Sequence, residues 1–202
     1  MIPFNYKRVC DAHSDINEHL PTLRRYAAEC SSVAEMGVRS VVSTWAFLQG
    51  LLDSQAAEKS LQCLDLNDAP LINDICALAK NNGIEMTFIK GDSATTRLNP
   101  VDLLFIDTWH IYGHLKRELA FHCDRVAKYI VMHDTTLDAI NGESIRNGWN
   151  TFEQARTSGY PEEEIRRGLK PALEEFLAAH PEWVVKEVFT NNNGLTVLQR
   201  VS

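Results

Sequence analysis

The segment from Val101 to Ile106 is almost continuously apolar and is followed directly by Asp107. A strand with one solvated face alternates apolar and polar residues, whereas a strand buried on both faces does not. Sheets that are buried on both faces are typically parallel sheets covered by helices. This segment therefore predicts a central parallel strand in an α/β domain.

The rest of the chain alternates between strand-like and helix-like segments. Further strands are predicted at residues 32–36, 61–66, 85–89 and 129–132, and helices at residues 19–29, 43–52, 71–81 and 112–123. The last two predicted strands, 183–189 and 195–201, are joined through Asn193-Gly194, which is a strong hairpin signal. We expect an α/β, Rossmann-like three-layer sandwich whose mostly parallel seven-stranded sheet ends in a C-terminal antiparallel hairpin.

The length of 202 residues, 45% of them hydrophobic, suits one domain with a sizeable core. We expect residues 1–202 to form this single domain. Residues 1–30 are predicted to be an N-terminal helical segment. Residues 135–170 are polar and contain several glycines, which predicts an insertion that forms a lid or a rim around an acceptor site.

Composition excludes several classes of function. The net charge of -7 and the lack of a lysine and arginine cluster disfavour general nucleic-acid binding. No apolar run is long enough for a membrane span, and the first residues lack the apolar stretch of a signal peptide. The five cysteines form no closely spaced pair, which predicts reduced thiols, a cytoplasmic location and no zinc site.

Polar residues follow five of the predicted strands at their carboxyl ends. They are Glu35 with Gly37, Asp65, Asp92, Asp107, and His133 with Asp134. Ligands of open α/β sheets bind at this edge, so the set marks a candidate site. One such residue alone would carry little weight, because it could simply cap a helix or end a strand.

Residues 35–44 resemble the first motif of the class I S-adenosylmethionine-dependent methyltransferases, and most of all their small-molecule O-methyltransferase branch. The resemblance implies that Glu35, Gly37 and Ser43 belong to the cofactor site. It also implies that Gly37, which lacks a Cβ, lets the loop approach the methionine part of S-adenosylmethionine. An ordinary strand-to-helix turn is the alternative for Gly37. Ser40 departs from the family pattern, because a second glycine often stands there.

Residues 101–112 and 129–135 carry the more specific part of the resemblance. They are similar to motifs of a branch that includes macrolide-sugar O-methyltransferases and cephalosporin-hydroxylase-like proteins. The resemblance extends over roughly residues 30–200, nearly the whole domain. It implies that Asp65 accepts hydrogen bonds from the ribose hydroxyls, that Asp92 lies at the adenine, and that Asp107 borders both the cofactor and the acceptor.

The resemblance also implies a metal site, because some members of the family hold Mg²⁺ at the ends of the fourth and fifth strands. The ligands carried over to this sequence would be Asp107, Asp134 and His133. Magnesium prefers oxygen ligands, which the two aspartates offer, whereas the imidazole of His133 suits zinc, iron or nickel better. The alternative is that Asp107 and Asp134 bind acceptor hydroxyls directly.

His110 follows Asp107 by three residues and begins a predicted helix. In the macrolide-sugar branch a histidine at this position is the general base, and an ordinary histidine pKa near 6.5 suits proton transfer at neutral pH. A surface or capping residue is the alternative for His110. The remaining histidines without such a context are predicted to be surface or packing residues: His13, His19, His114, His122 and His180.

Together these features predict an S-adenosylmethionine-dependent methyltransferase that acts on a small-molecule hydroxyl, with self-assembly into a homo-oligomer expected. One rival is a metal-dependent hydrolase or lyase that uses Asp107, His110, His133 and Asp134, which leaves the first motif without a role. Another rival is a non-catalytic relative that binds a ligand, since a fold does not by itself imply a function. A dinucleotide-dependent dehydrogenase is disfavoured because no GxGxxG motif follows the first strand.

Overall fold

The computed structural model describes residues 1–201 and contains one seven-stranded sheet. The strands are β1 (Ser32–Met36), β2 (Ser60–Asp65), β3 (Glu85–Lys90), β4 (Val101–Ile106), β5 (Val126–His133), β6 (Trp183–Phe189) and β7 (Leu195–Arg200). They lie in the order β3-β2-β1-β4-β5-β7-β6. The first five strands pair in parallel, whereas β7 is antiparallel to both β5 and β6. The predicted sheet and its final hairpin are therefore confirmed.

Helices cover both faces of the sheet. They are α1 (Ile2–Asp11), α2 (Leu20–Ala28), α3 (Val42–Asp53), α4 (Ile72–Asn81), α5 (Tyr112–His122), α6 (Glu143–Arg146), α7 (Thr151–Ser158), α8 (Glu162–Arg166) and α9 (Leu169–Ala179). Helices α1 to α4 pack in one apolar core, and α5 and α9 pack in the other. The three layers expected from the sequence are present.

Strand β4 shows why its sequence is apolar throughout. Leu103 and Phe105 are buried in the core beneath α1 to α4, and Leu104 and Ile106 are buried in the opposite core. Successive side chains of a strand point to opposite faces, so both faces of β4 need apolar residues. This burial agrees with the prediction of a central strand covered on both sides.

Several elements differ from the sequence prediction. Strand β5 begins at Val126, three residues earlier than expected, because exposed Ala127 and Lys128 break the apolar pattern at its start. Helix α9 was not predicted, although Pro171 is compatible with its first turn, where a backbone N–H has no helical partner. Helix α1 lies in the segment predicted to be helical at residues 1–30.

The strand order reverses between β1 and β4, so the carboxyl ends of these neighbours form the edge of a crevice. Gly37 directly follows β1 with φ +88°, and a Cβ on it would overlap the backbone carbonyl of Asp107, which directly follows β4. The backbone N–H of Asp107 donates to the carbonyl of Met36 over 2.9 Å. Only glycine fits this approach of two chain segments, irrespective of any ligand.

Among residues 1–201, no helix has both the length and the apolar character needed to cross a membrane. The five cysteines are free thiols.

Replacing Gly37 by Ala should destabilise the fold by about 3 kcal/mol or more, because the new methyl group meets backbone that has no room to move. Gly83→Ala is the matched control. Gly83 also has a positive φ, of +74°, but a Cβ there meets nothing within 4 Å, so its cost should be about 1 kcal/mol. Urea unfolding of both variants measures the difference, and equal losses would contradict the steric explanation.

Candidate functional site

The carboxyl ends of β1 to β4 border one large cleft with a volume of about 670 Å³. Gly37, Asp65, Asp92 and Asp107 line it, each at or just beyond the end of its strand. Cavities of 300 to 1,000 Å³ are typical of small-molecule and cofactor sites. The structure thus brings together four of the residues that the sequence marked for cofactor binding.

Two further residues predicted to bind the cofactor, Glu35 and Ser43, do not line this cleft. The carboxylate of Glu35 is fully buried and accepts hydrogen bonds from the hydroxyls of Ser43 over 2.5 Å and Thr44 over 2.8 Å. Burial raises the pKa of Glu35 to about 7. Both hydroxyls belong to the first turn of α3, so Glu35 fixes that turn against β1 rather than facing a ligand.

Asp65 holds the loop that follows β1. One carboxylate oxygen, Oδ2, accepts hydrogen bonds from the backbone N–H groups of Val38 over 2.8 Å and Arg39 over 2.9 Å. The other oxygen, Oδ1, accepts from the backbone of Asn67 over 2.9 Å. A carboxylate oxygen has two lone pairs, so Oδ1 keeps the capacity to accept one more hydrogen bond from a hydroxyl in the cleft.

An aromatic and polar wall closes the cleft beyond β3 and β4. The Trp109 and Tyr160 rings lie edge to face with centroids 5.5 Å apart. His114 links this wall to the sheet, because its Nδ1 lies 2.8 Å from the hydroxyl of Tyr160 and its Nε2 lies 3.0 Å from that of Ser93. Asp92 and Trp149 also line the cleft.

His114 was predicted to be a surface or packing residue, but it lines the cleft. Its Nε2 lies 3.2 Å from Oε1 of Glu118, which is fully buried one helical turn later in α5. Burial opposes protonation of His114, but the Glu118 carboxylate outweighs this effect and raises the pKa of His114. The only sequence signal was a histidine and a glutamate spaced i,i+4 on the helix face that also carries Leu115 and Leu119.

His110 lies among four carboxylates. Its Nε2 is 3.1 Å from Asp107 and 3.4 Å from Asp134, and its Nδ1 is 3.3 Å from both Asp138 and Glu143. Burial opposes protonation, but the surrounding carboxylates raise the pKa of His110 well above its usual range. A general base must be neutral before it accepts a proton. These surroundings favour a protonated His110, which can orient a bound ligand, over the neutral His110 that the sequence predicts as a general base.

His133 has a polar partner on each side of its ring. Its Nε2 lies 3.1 Å from the carbonyl oxygen of Asn192, which only accepts hydrogen bonds. Its Nδ1 lies 2.9 Å from Asp134 and 3.4 Å from Asp107. Burial disfavours the charged ring, but hydrogen bonds to the two carboxylates raise the pKa of His133 to about 10. Both ring nitrogens therefore carry protons at neutral pH.

The residues predicted to hold a metal are close together but do not fit magnesium. Two of the three predicted ligands, Asp107 and Asp134, form a group with His110 whose donor atoms lie within 4.8 Å of one another. Magnesium prefers a shell of oxygens, whereas this group contains an imidazole. In addition, the protonated Nδ1 of His133 lies against both carboxylates that would bind the ion. The cluster is better described as an ion-pair network, and no step of the chemistry below is derived through a metal.

A second, smaller cavity of about 350 Å³ adjoins the cleft on the side of α1 and α3. Its polar lining includes Ser14, Asp15, Ser40, Ser43 and His110, and no Phe, Tyr or Trp side chain borders it. The loop between α1 and α2 supplies the first two of these residues. The two cavities share lining residues, among them Gly37 and Asp107, so ligands bound in them would lie side by side.

Glu143 is a site residue that the sequence analysis missed. It belongs to the 135–170 insertion and borders both cavities, whereas the other contributions of this insertion, such as Trp149 and Tyr160, border only the large cleft. In the sequence Glu143 is one acid within a polar segment, which gives no sign of burial. Its position depends on how the insertion folds back over the sheet edge.

Comparison with known proteins was made for both sequence and structure. No protein-family model and no curated protein matches the sequence. The fold is similar to that of the methyltransferase PaMTH1 of Podospora anserina, whose structure was solved with bound S-adenosylhomocysteine (SAH). The two sequences are 15% identical, and the alignment covers 100% of this chain and 88% of that chain with a TM-score of 0.58. The fold is that of the class I methyltransferases.

Two further solved structures share this methyltransferase fold. The O-methyltransferase of Bacillus cereus, in complex with SAH, is 17% identical, with coverage of 98% of this chain and 90% of that chain and a TM-score of 0.60. The O-methyltransferase TomG of Streptomyces achromogenes, in complex with S-adenosylmethionine (SAM), is 10% identical, with the same coverage and a TM-score of 0.61. The fold implied by the sequence resemblance is confirmed.

The charge on His133 should make stability depend on pH. The pKa of His133 is about 10 in the folded protein and near its ordinary value of about 6.5 in the unfolded chain. The contribution of His133 to the free energy of unfolding is therefore fully present below pH 6.5 and is lost as the pH rises towards 10. We expect His133→Gln to be destabilised most near pH 6 and progressively less towards pH 10, as measured by urea unfolding. A difference from wild type that stays constant over this range would show that the ring is neutral.

Proposed function

We propose that this protein is a SAM-dependent methyltransferase that methylates a hydroxyl group of a small molecule. The observation that carries the proposal is the pair of adjoining cavities at the carboxyl edge of the sheet, which meet beside Gly37 and Asp107. Methyl transfer needs two ligands held in contact and aligned. One cavity for the methyl donor and one for the acceptor supply that arrangement.

SAM would occupy the large cleft and would supply an electrophilic methyl group on a sulfonium. Asp65 fits the ribose hydroxyls, because its Oδ1 has an unused lone pair at the cleft. Asp92 and the aromatic wall around Trp109 and Tyr160 suit the adenine, since aromatic rings pack favourably against one another. Gly37 and Asp107 border the remaining end, where the methionine part would lie.

The small cavity would take the acceptor. Its serine hydroxyls and its carboxylates are hydrogen-bonding partners for an acceptor that carries several hydroxyl groups. Because no Phe, Tyr or Trp side chain borders the cavity, we favour a sugar or another non-aromatic alcohol over a phenol. His110 and Asp107 would orient the reacting hydroxyl, and a neighbouring carboxylate would take its proton as the oxygen attacks.

The proposal includes a cytoplasmic location, a small-molecule partner and self-assembly into a homo-oligomer, as expected from the sequence. It assigns no role to Mg²⁺, because the protonated His133 lies against the carboxylates that would bind the ion. The rival hydrolase or lyase needs a metal in that cluster and leaves the large cleft without a ligand. A non-catalytic relative would bind SAM but lack a use for the second cavity.

Calorimetric titration with SAH tests the cofactor assignment. We expect wild-type protein to bind SAH in the micromolar range, with the same affinity with and without Mg²⁺. Asp65→Ala removes both the free lone pair and the anchor of the loop after β1, and should weaken binding by about tenfold or more.

The matched control is Asp68→Ala. Asp68 is exposed, pairs with Lys90 over 2.7 Å and does not line the cleft, so its removal should leave SAH binding unchanged. If wild-type protein bound no SAH, the proposal would be wrong. Binding that required Mg²⁺ would instead restore the metal site at Asp107 and Asp134.

A panel of acceptors tests the proposed substrate class. Purified protein with SAM is incubated with simple sugars, non-aromatic amines and phenols, and released SAH is measured. The polar small cavity should give faster turnover with sugar hydroxyls than with phenols, by about tenfold or more. A preference for phenols or for amines would refute the assignment of a non-aromatic hydroxyl acceptor.

A further inference from the structure

The two cavities meet at five residues: Gly37, Arg39, Asp107, Thr108 and Glu143. Under the proposed function, on which this inference rests, the methyl donor lies on one side of this junction and the acceptor on the other. The methyl group and the sulfonium that carries it must therefore lie at the junction. Any uncompensated charge there acts on the positive charge of the cofactor.

Three of the five junction residues are charged, and two of them are already compensated. The Arg39 side chain is 82% exposed and pairs with Asp15 over 3.1 Å. Asp107 directs Oδ1 at two imidazoles, with His110 Nε2 at 3.1 Å and His133 Nδ1 at 3.4 Å. Neither residue presents a free charge to a ligand.

Glu143 is the third charged residue, and its charge is the least compensated. Its side chain is only 16% exposed, and its nearest cationic partner is His110, with Nδ1 3.3 Å from Oε2. This Nδ1 forms no hydrogen bond with acceptable geometry in residues 1–201. Arg146 lies close by in sequence, but it donates to Asp138 over 2.7 and 2.9 Å.

The backbone of Glu143 is held firmly at this position. Its N–H donates to the carbonyl of His110 over 3.0 Å, and the N–H of Gly142 donates to the carbonyl of Arg166 over 3.0 Å. A Cβ on Gly142 would lie 2.6 Å from the carbonyl oxygen of Ile165, so the chain before Glu143 packs directly against the end of α8. The carboxylate is thus presented to the junction by a fixed support.

We propose that Glu143 is the counter-charge for the sulfonium of the cofactor, and that it makes the site prefer SAM over SAH. A carboxylate that is only 16% exposed attracts a nearby cation more strongly than a fully exposed one does, because less water screens the pair. SAH is a neutral thioether at the same position and gains nothing from this charge. Loss of the methyl group therefore weakens the hold on the product, which favours its release after each turnover.

The test compares two ligands in one variant. Dissociation constants of SAM and SAH are measured calorimetrically for wild type and for Glu143→Gln, which keeps the size of the side chain and removes its charge. We expect wild type to bind SAM more tightly than SAH. In Glu143→Gln the dissociation constant of SAM should rise about tenfold, whereas that of SAH should change by less than about twofold.

Two further variants make the result specific. Glu174→Gln makes the same change of net charge on the exposed face of α9, where Glu174 pairs with Lys170 over 3.7 Å, and should alter neither constant. Glu143→Asp keeps the charge on a shorter side chain and should lose less SAM affinity than Glu143→Gln, which supports the inference even if the glutamine variant folds poorly. Equal losses for SAM and SAH would overturn the role of Glu143. Absence of binding in wild type would instead overturn the proposed function.

Discussion

The contact between the backbone of Gly37 and the carbonyl of Asp107 is the constraint on which the rest of the site depends. It joins the ends of β1 and β4, the two strands between which the sheet order reverses. The loop after β1 begins at this contact and borders both the large cleft and the small cavity. Asp65 and Glu35 then fix the loop from either end, one through backbone N–H groups and the other through the first turn of α3.

Electrostatics shapes the other half of the site. Two imidazoles, His110 and His133, lie among carboxylates that would otherwise repel one another. The charged form of each ring is favoured. Burying a charged imidazole costs less free energy than leaving the buried carboxylates around it without a cationic partner. The pKa of Asp107 falls below its usual range for the same reason, since its contacts with both rings outweigh its burial. The cluster is thereby held together without an added cation.

The sequence predicted the sheet well because the relevant signals are local. The apolar run of β4 and the Asn193-Gly194 turn each specify their own structure without reference to distant residues. The acids at the strand ends were also predictable, since parallel strands deliver their carboxyl ends to one edge. What local signals leave open is the direction of a side chain. Glu35 shares a sheet face with Val33 and so points beneath α3, away from the large cleft.

The residues that the sequence analysis missed depend on long-range packing. Glu143 reaches the junction only because the 135–170 insertion folds back on itself at the sheet edge. The chain before Glu143 packs there against α8, a later helix of the same insertion. Its sequence neighbours are polar and give no indication of burial. Likewise, His114 and Glu118 are polar residues on the helix face that carries Leu115 and Leu119, a pattern that does not reveal the contact of His114 with the hydroxyl of Tyr160.

The position of Trp149 has a practical consequence. Trp149 is 48% exposed and lines the large cleft, whereas Trp45 and Trp183 are almost completely buried in the cores. Trp109, the fourth tryptophan, also borders the cleft. Water-soluble quenchers therefore reach the fluorescence of the cleft tryptophans and leave that of the core unchanged. The protein carries its own optical reporter of whether this cleft is open or filled.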